Sequence, residues 1–344
     1  MSFDCRQFLQ CLRCESNSSI PLQARTEVRG GNRLINSIVA DGCSLQLRQC
    51  EPHNCWQVPM KPLDLVAAIV LPVIWGAGFT VAKGTLDEFP PVFLMGLRFT
   101  IAGLILVWFV KPMWEDAVHM VVVGFAGGLL AYGLIFSGLK NLDASITILV
   151  VQLEVVFIAI LAGIFLGDRF SLRQWVAVAC SFLGIMLIAG EPSVQANPLP
   201  FIMVILGGLF WSIGQVLIKS LGNVGGLRTV AWFAAFSGPQ LLLGSLMVEQ
   251  GQWQSVESAS LKGWMAVVYL SIVMTALGYA LWFRLVSRYR MNQVAPFILL
   301  VPVASVFGSV VFLGERPTAW VVAGGLIVMA SVSVIHLGHV PVRR

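Results

Sequence analysis

A carboxylic acid and a guanidinium stand inside stretches of the chain that are otherwise almost wholly apolar. Placing a charge at the centre of a bilayer-spanning helix costs at least about 2.5–3.5 kcal/mol, so such residues are retained where they do work. Glu154 follows Gln152 by two residues near the middle of its stretch. A carboxyl there can keep its proton in low-dielectric surroundings and give it up when water or a cation arrives, which is the chemistry of a proton-coupled carrier. The competing reading is a neutral acid hydrogen-bonded to a neighbouring helix. Arg98, in Pro90-Pro91 followed by Gly96-Leu97-Arg98-Phe99, lies nearer one end of its stretch. It is expected in a structural ion pair with an acid, or reaching toward polar headgroups.

Aromatic rings at mid-stretch come next: Trp75, Phe79, Tyr132, Phe136, Trp211, Tyr279 and Trp282. Trp and Tyr normally collect at membrane interfaces, so their presence at depth points to a ligand pathway, with packing as the alternative. The amides of Gln152 and Gln215 add hydrogen-bonding capacity to that pathway. Pro296 and Pro302 share one stretch, where each removes a backbone donor and frees a carbonyl, as helices lining a cavity often do.

Nothing in the chain points to hydrolysis or redox chemistry. There is no Gly-x-Ser-x-Gly, no His-Glu-x-x-His and no phosphate-cradling Gly-rich loop ending in Lys-Ser/Thr. No catalytic residue, cofactor or metal is expected. Cys11-x-x-Cys14 lacks a matching second pair, which leaves a metal reading weak.

Those residues must be held by helices. The chain is 57% hydrophobic and 11% charged. Ordinary globular proteins are about 25% charged. Ten apolar stretches predict ten transmembrane helices, over 65–83, 91–110, 119–138, 144–166, 172–190, 199–218, 229–248, 262–284, 294–313 and 318–338. Lys and Arg gather at the ends that include both termini of this bundle: Lys61, Lys111, Arg169, Arg173, Lys219, Arg228, Arg284, Arg288, Arg290, Arg343 and Arg344. The opposite loops hold only Lys83, Lys140, Lys262 and Arg316. The bias predicts that both ends of the bundle are cytoplasmic. The net charge of +5 is thus a topology signal, and no nucleic-acid partner is expected. Residues 1–59 are polar, hold six of the seven cysteines and lack hydrophobic periodicity. They read as a disordered extension or as an upstream misassigned start, with Met60 the native first residue.

The bundle also repeats itself. Trp75-x-x-Gly78-x-x-x-x-Lys83 near the end of the first stretch has the same pattern as Trp211-x-x-Gly214-x-x-x-x-Lys219 near the end of the sixth. Tyr132, Phe136 and Gly167-Asp168-Arg169 recur, in the same order and with the same spacing, as Tyr279, Phe283 and Gly314-Glu315-Arg316. The predicted organisation is two five-helix halves, 61–190 and 198–338. Five is odd, so the second half enters the membrane from the opposite side. Such inverted repeats serve carriers, whose two halves exchange conformations about a central site.

These residues resemble the drug/metabolite transporter superfamily, in particular its EamA-type ten-helix exporters. The similarity covers 61–338 and is carried by Trp75-Gly76…Phe79…Lys83, by Pro90-Pro91…Gly96-Leu97-Arg98-Phe99, and by Gly278-Tyr279…Trp282. Val294-Ala295-Pro296…Leu299-Leu300-Val301-Pro302-Val303 and Gly314-Glu315-Arg316 complete it. The last segments and Gln152 are similar, more narrowly, to cysteine-pathway exporters, although that pattern has Asn at positions 78 and 215 and Gln at 154. The resemblance implies a bacterial inner-membrane secondary transporter that exports small polar metabolites, amino acids or their derivatives. Its partners would be the small-molecule substrate and the lipid bilayer, with a homodimer left open. Drug or sugar export, or a non-transporting sensor or scaffold, are the alternatives.

Overall fold

The structure, a computed structural model, describes residues 60–166, 171–221, 225–289 and 291–337. Residues 1–59 and the Gly167-Asp168-Arg169 turn, both subjects of sequence expectations, lie outside the described residues. Among the described residues the fold is all-α, and ten helical segments follow the ten apolar stretches. They are α1 (Pro62–Lys83), α2 (Pro91–Leu106, with a 3-10 turn Val107–Phe109), α3 (Ala117–Val123, Gly124–Leu130 and Ala131–Asn141), α4 (Ala144–Val151 and Leu153–Leu166) and α5 (Leu172–Ile188). The second set is α6 (Leu199–Ser220), α7 (Gly226–Val248), α8 (Leu261–Val268, Tyr269–Leu277 and Gly278–Arg288), α9 (Met291–Ile298 and Leu300–Leu313) and α10 (Ala319–Leu337).

Local chemistry starts these helices where the apolar runs begin. Proline occupies the first turn of α1, α2 and α6, where its missing N–H costs nothing. Ser171 and Gln174 form a reciprocal capping box on α5. Eight segments are long and apolar enough to cross a membrane by length and composition, and α5 and α10 are shorter apolar helices. With a rise of about 1.5 Å per residue, α5 still reaches roughly 26 Å, close to the thickness of a hydrocarbon core. The lipid-facing surface is apolar, as with Val66, Ile69, Val70 and Val73 along α1. Trp108, Phe109 and Trp114 stand exposed at one rim, where aromatic rings anchor a bundle. The long loop expected near 249–261 contains a further short helix, Gln252–Ser258.

The two halves correspond in detail. In α3 and α8 the ladder loosens to π-type turns, over Gly124–Leu130 and Tyr269–Leu277. α4 breaks at Gln152 and α9 at Leu299, which are separated along the chain by the same interval as Tyr132 and Tyr279. Helix pairing survives exchange of the halves: α1 packs on α9 and α8, while α6 packs on α4 and α3. α2 packs on α7 and α5 on α10, each pair mapping onto itself. Small residues permit these crossings. A Cβ at Gly324 would lie 2.5 Å from the carbonyl oxygen of Gly184, so α10 and α5 approach backbone to backbone.

At the end of the bundle opposite Met60, three glutamates reach from one half to a helix start in the other, and Glu191, in the connection between the halves, reaches the start of α10. Glu249 accepts from the backbone N–H groups of Val92 (2.9 Å) and Phe93 (3.0 Å) at the start of α2. Glu315 does the same for Ala144 (2.6 Å) and Ser145 (3.0 Å) at α4. Glu88 accepts from Ser260 N–H (2.6 Å) at α8, and Glu191 from the Thr318 hydroxyl just before α10. Carboxylates at helix N-termini satisfy orphan donors and meet the positive end of the helix dipole. The Met60 end is tied differently, with buried Asp64 of α1 bridging Arg284 (3.1 Å) and Arg288 (3.4 Å) of α8 and accepting from the Tyr289 hydroxyl (2.9 Å).

Candidate functional site

A cavity of about 840 Å³ lies between the two sets of five helices. Its depth is built by a symmetric aromatic frame. Trp75 of α1 meets Tyr279 of α8 at 5.3 Å between ring centroids, and Trp211 of α6 meets Tyr132 of α3 at 5.4 Å. Each tyrosine stacks on a phenylalanine one turn along its helix, Tyr132 on Phe136 (6.0 Å) and Tyr279 on Phe283 (6.4 Å). The i, i+4 spacing puts both rings on one face. The two repeats read along the chain therefore meet in space as two copies of one arrangement.

The π-type turns hold this frame. In α8 the widened ladder places the Met274 carbonyl where the Trp75 indole Nε1 donates to it at 3.1 Å. Thr275, in the same segment, donates its hydroxyl to the Leu270 carbonyl (2.8 Å) and accepts from Arg98 Nε at 2.8 Å. The break in α4 works on the opposite wall, where Ser212 Oγ of α6 lies 3.0 Å from the Glu154 carbonyl oxygen.

Ten of the twelve residues expected along a substrate pathway line the cavity. Trp75, Phe79, Tyr132, Phe136, Trp211, Tyr279 and Trp282 supply its rings; Gln152, Glu154 and Gln215 supply polar groups. Gln152 is buried, its amide donating to Met329 Sδ of α10 at 3.7 Å. Glu154 is half-buried and accepts no side-chain hydrogen bond among the described residues.

Pro296 and Pro302 do not line the cavity, which corrects the expectation for both. Pro296 is exposed and Pro302 is buried, while Ile298 and Val301 between them face the space. The helix breaks at Leu299, so the prolines bracket the interruption and its turn presents their neighbours. Arg98 is also corrected: among the described residues it has no carboxylate partner. It is 2% exposed, donates to Thr275 and to Met95 Sδ (3.8 Å), and lies over the rings of Phe99 (4.9 Å) and Tyr132 (5.4 Å). Such cation–π contacts give part of the attraction an acid would provide. Phe283, Thr229, Phe233 and Lys219 also line the space and were not singled out as pathway residues; the recurrence of Phe136 at Phe283 was the available signal for one of them.

A bundle of membrane-crossing helices in two equivalent sets, around a cavity lined by a half-buried acid and a buried guanidinium, defines a polytopic membrane protein with a cavity at its centre. Residues 63–190 and 199–337 each match the EamA-like transporter family. The chain belongs to that family and is a multi-pass membrane transporter. It is 27% identical over 289 residues to a probable amino-acid metabolite efflux pump of Salmonella typhimurium, covering 81% of this chain and 96% of that one. A protein of the same description from Escherichia coli is 25% identical over the same shares. An uncharacterized transporter, YvbV, of Bacillus subtilis is 26% identical, covering 81% and 93%. One solved structure, titled only as the crystal structure of a protein, superposes with a TM-score of 0.57 at 18% identity, over 83% of this chain and 99% of that chain. It shows the fold.

Proposed function

We propose that this chain exports small polar metabolites, amino acids or their derivatives, across the bacterial inner membrane by alternating access, driven by a proton gradient. The observation that carries the reading is Glu154: a carboxyl without a hydrogen-bond partner among the described residues, on the wall of a cavity between two repeated halves. An acid so placed gains from meeting either a proton or a substrate cation, and a carrier that takes them in turn couples their movements. The cavity volume lies within the range of about 300–1,000 Å³ that suits small ligands. Descriptions of the relatives as amino-acid metabolite efflux pumps support the substrate class and the direction.

The test is flux in proteoliposomes with an imposed pH gradient. Wild type is expected to show transport that rises with the proton gradient, and Glu154→Gln to fold and lose that dependence. Equal pH dependence in the variant removes Glu154 from the coupling. Ligand binding without any flux from sealed vesicles overturns the carrier reading in favour of a membrane sensor.

A further inference from the structure

Arg98 carries a charge that the fold leaves unneutralised. A guanidinium has five N–H donors in a planar fork. Among the described residues, Nε–H goes to Thr275 Oγ1 and one Nη1–H to a methionine sulfur, a weak acceptor. Nη2 has no partner there. Thr275 spends its own proton on the Leu270 carbonyl, so its oxygen can only accept from Arg98, which fixes the plane of the fork. The rings of Phe99 and Tyr132 attract the cation without neutralising it. A buried, unpaired guanidinium is expensive, and proteins keep one where an anion completes it. Arg98 lines the cavity, so an anion can reach it.

We infer that Arg98 is the carboxylate-docking residue of the cavity, and that the molecules this chain carries are therefore acids. The inference rests on the cavity being the transport site and names the substrate class for it. The fork offers a carboxylate two parallel hydrogen bonds, a match no ammonium or neutral hydroxyl can make. Arg98 and Glu154 form no ion pair with each other; Arg98 lies over the Tyr132 ring at 5.4 Å, and both charged residues line the cavity together with Tyr132 and Tyr279. A zwitterion fits that set of groups, its carboxylate on Arg98, its body against the phenols and its ammonium toward Glu154. The wall near Arg98 is aromatic, and the other described cation lining the cavity, Lys219, stands at the end of α6. Such a site has little to offer a doubly charged phosphate.

The test uses the full chain in detergent and reads tryptophan fluorescence, because Trp75, Trp211 and Trp282 line the cavity. The probes are L-leucine, L-serine and L-glutamine, the amines left by their decarboxylation, the deaminated acid of leucine, and inorganic phosphate. At least one acid is expected to bind wild type tenfold or more tightly than its amine. Arg98→Gln should erase that preference while the amine binds as before, and Arg98→Lys should restore only part of it. Thr275→Val, which keeps the charge and loosens the fork, should weaken the acid several-fold and leave the amine unchanged. Amines that bind wild type as tightly as acids overturn the assignment, as does a preference that survives Arg98→Gln. Phosphate binding more tightly than every carboxylate, or no response to any probe, overturns it too. Acid selectivity without flux sinks the transport reading and keeps this one; flux with no acid preference does the reverse.

Discussion

The cavity depends on close contact as much as on charge, and Gly278 shows why. A Cβ there would lie 2.5 Å from the Trp75 indole nitrogen, which donates to the Met274 carbonyl and packs at 5.3 and 6.0 Å from Tyr279 and Trp282. Gly278→Ala must therefore push a rigid ring off its acceptor. Leaving that indole N–H without its acceptor costs about 1–3 kcal/mol, and the displaced ring intrudes on the cavity. The expected outcome is substrate affinity lowered about tenfold or more, the equivalent of about 1.4 kcal/mol, with helical content unchanged. Titration of the purified variant by tryptophan quenching checks it, and an unaltered affinity rejects this role for the Trp75 contact. At this scale the sequence showed which residue types sit at depth, and repetition singled out Tyr132 and Tyr279, both of which line the cavity. It could not show partners. Arg98 invited an acid because a lone buried charge usually has one, and only the fold reveals Thr275 and two rings instead. Pro296 and Pro302 announced an interruption in α9, but a missing N–H does not say which neighbour faces the space.

Helix ends carry the next layer of the argument. α2 begins at Pro90-Pro91 without a side-chain cap of its own, so the first N–H groups after the prolines need an outside acceptor. Glu249, at the end of α7, accepts from two of them and from the Ser245 hydroxyl at 2.7 Å. Glu249→Ala should cost about 1–3 kcal/mol through those unpaired donors, and Glu249→Gln less, since its amide oxygen still accepts. Thermal unfolding of the detergent-solubilised protein measures both, and a Glu249→Ala variant as stable as wild type would show that α2 does not depend on the cap. The ten apolar stretches were legible because lipid imposes a length and a polarity that hydropathy records directly. The break at Gln152 and the π-type turns of α3 and α8 were not, because they arise where helices pack and share no sequence mark: the α3 turn holds three glycines and the α8 turn none. Their recurrence at equivalent places shows that the interruptions belong to the repeat rather than to either helix alone.

Across the whole molecule the two ends of the bundle differ. The cavity reaches Lys219, Gly225, Gly226, Thr229 and Val230, where α6 ends and α7 begins, on the side of Met60. At the opposite end the glutamate contacts join the halves. The proposed cycle requires those contacts to break whenever the chamber turns to the other side, so each contributes to holding the present arrangement. Glu315 makes the densest of them, accepting from two N–H groups of α4 and from the Ser145 hydroxyl at 2.6 Å. Charge-assisted hydrogen bonds are worth about 1.5–3 kcal/mol each, and about 1.4 kcal/mol is a tenfold change in population. Glu315→Gln, which weakens the set without removing it, should therefore move the balance by about an order of magnitude toward the other arrangement. On a cysteine-free background, Val230→Cys in sealed vesicles should react with an impermeant maleimide from one face alone. Adding Glu315→Gln should slow that reaction measurably, by up to about tenfold, as the present arrangement loses population. Labelling from both faces, or a double variant whose rate cannot be told from that of Val230→Cys alone, would show that these carboxylates secure the helix ends without holding the chamber to one side.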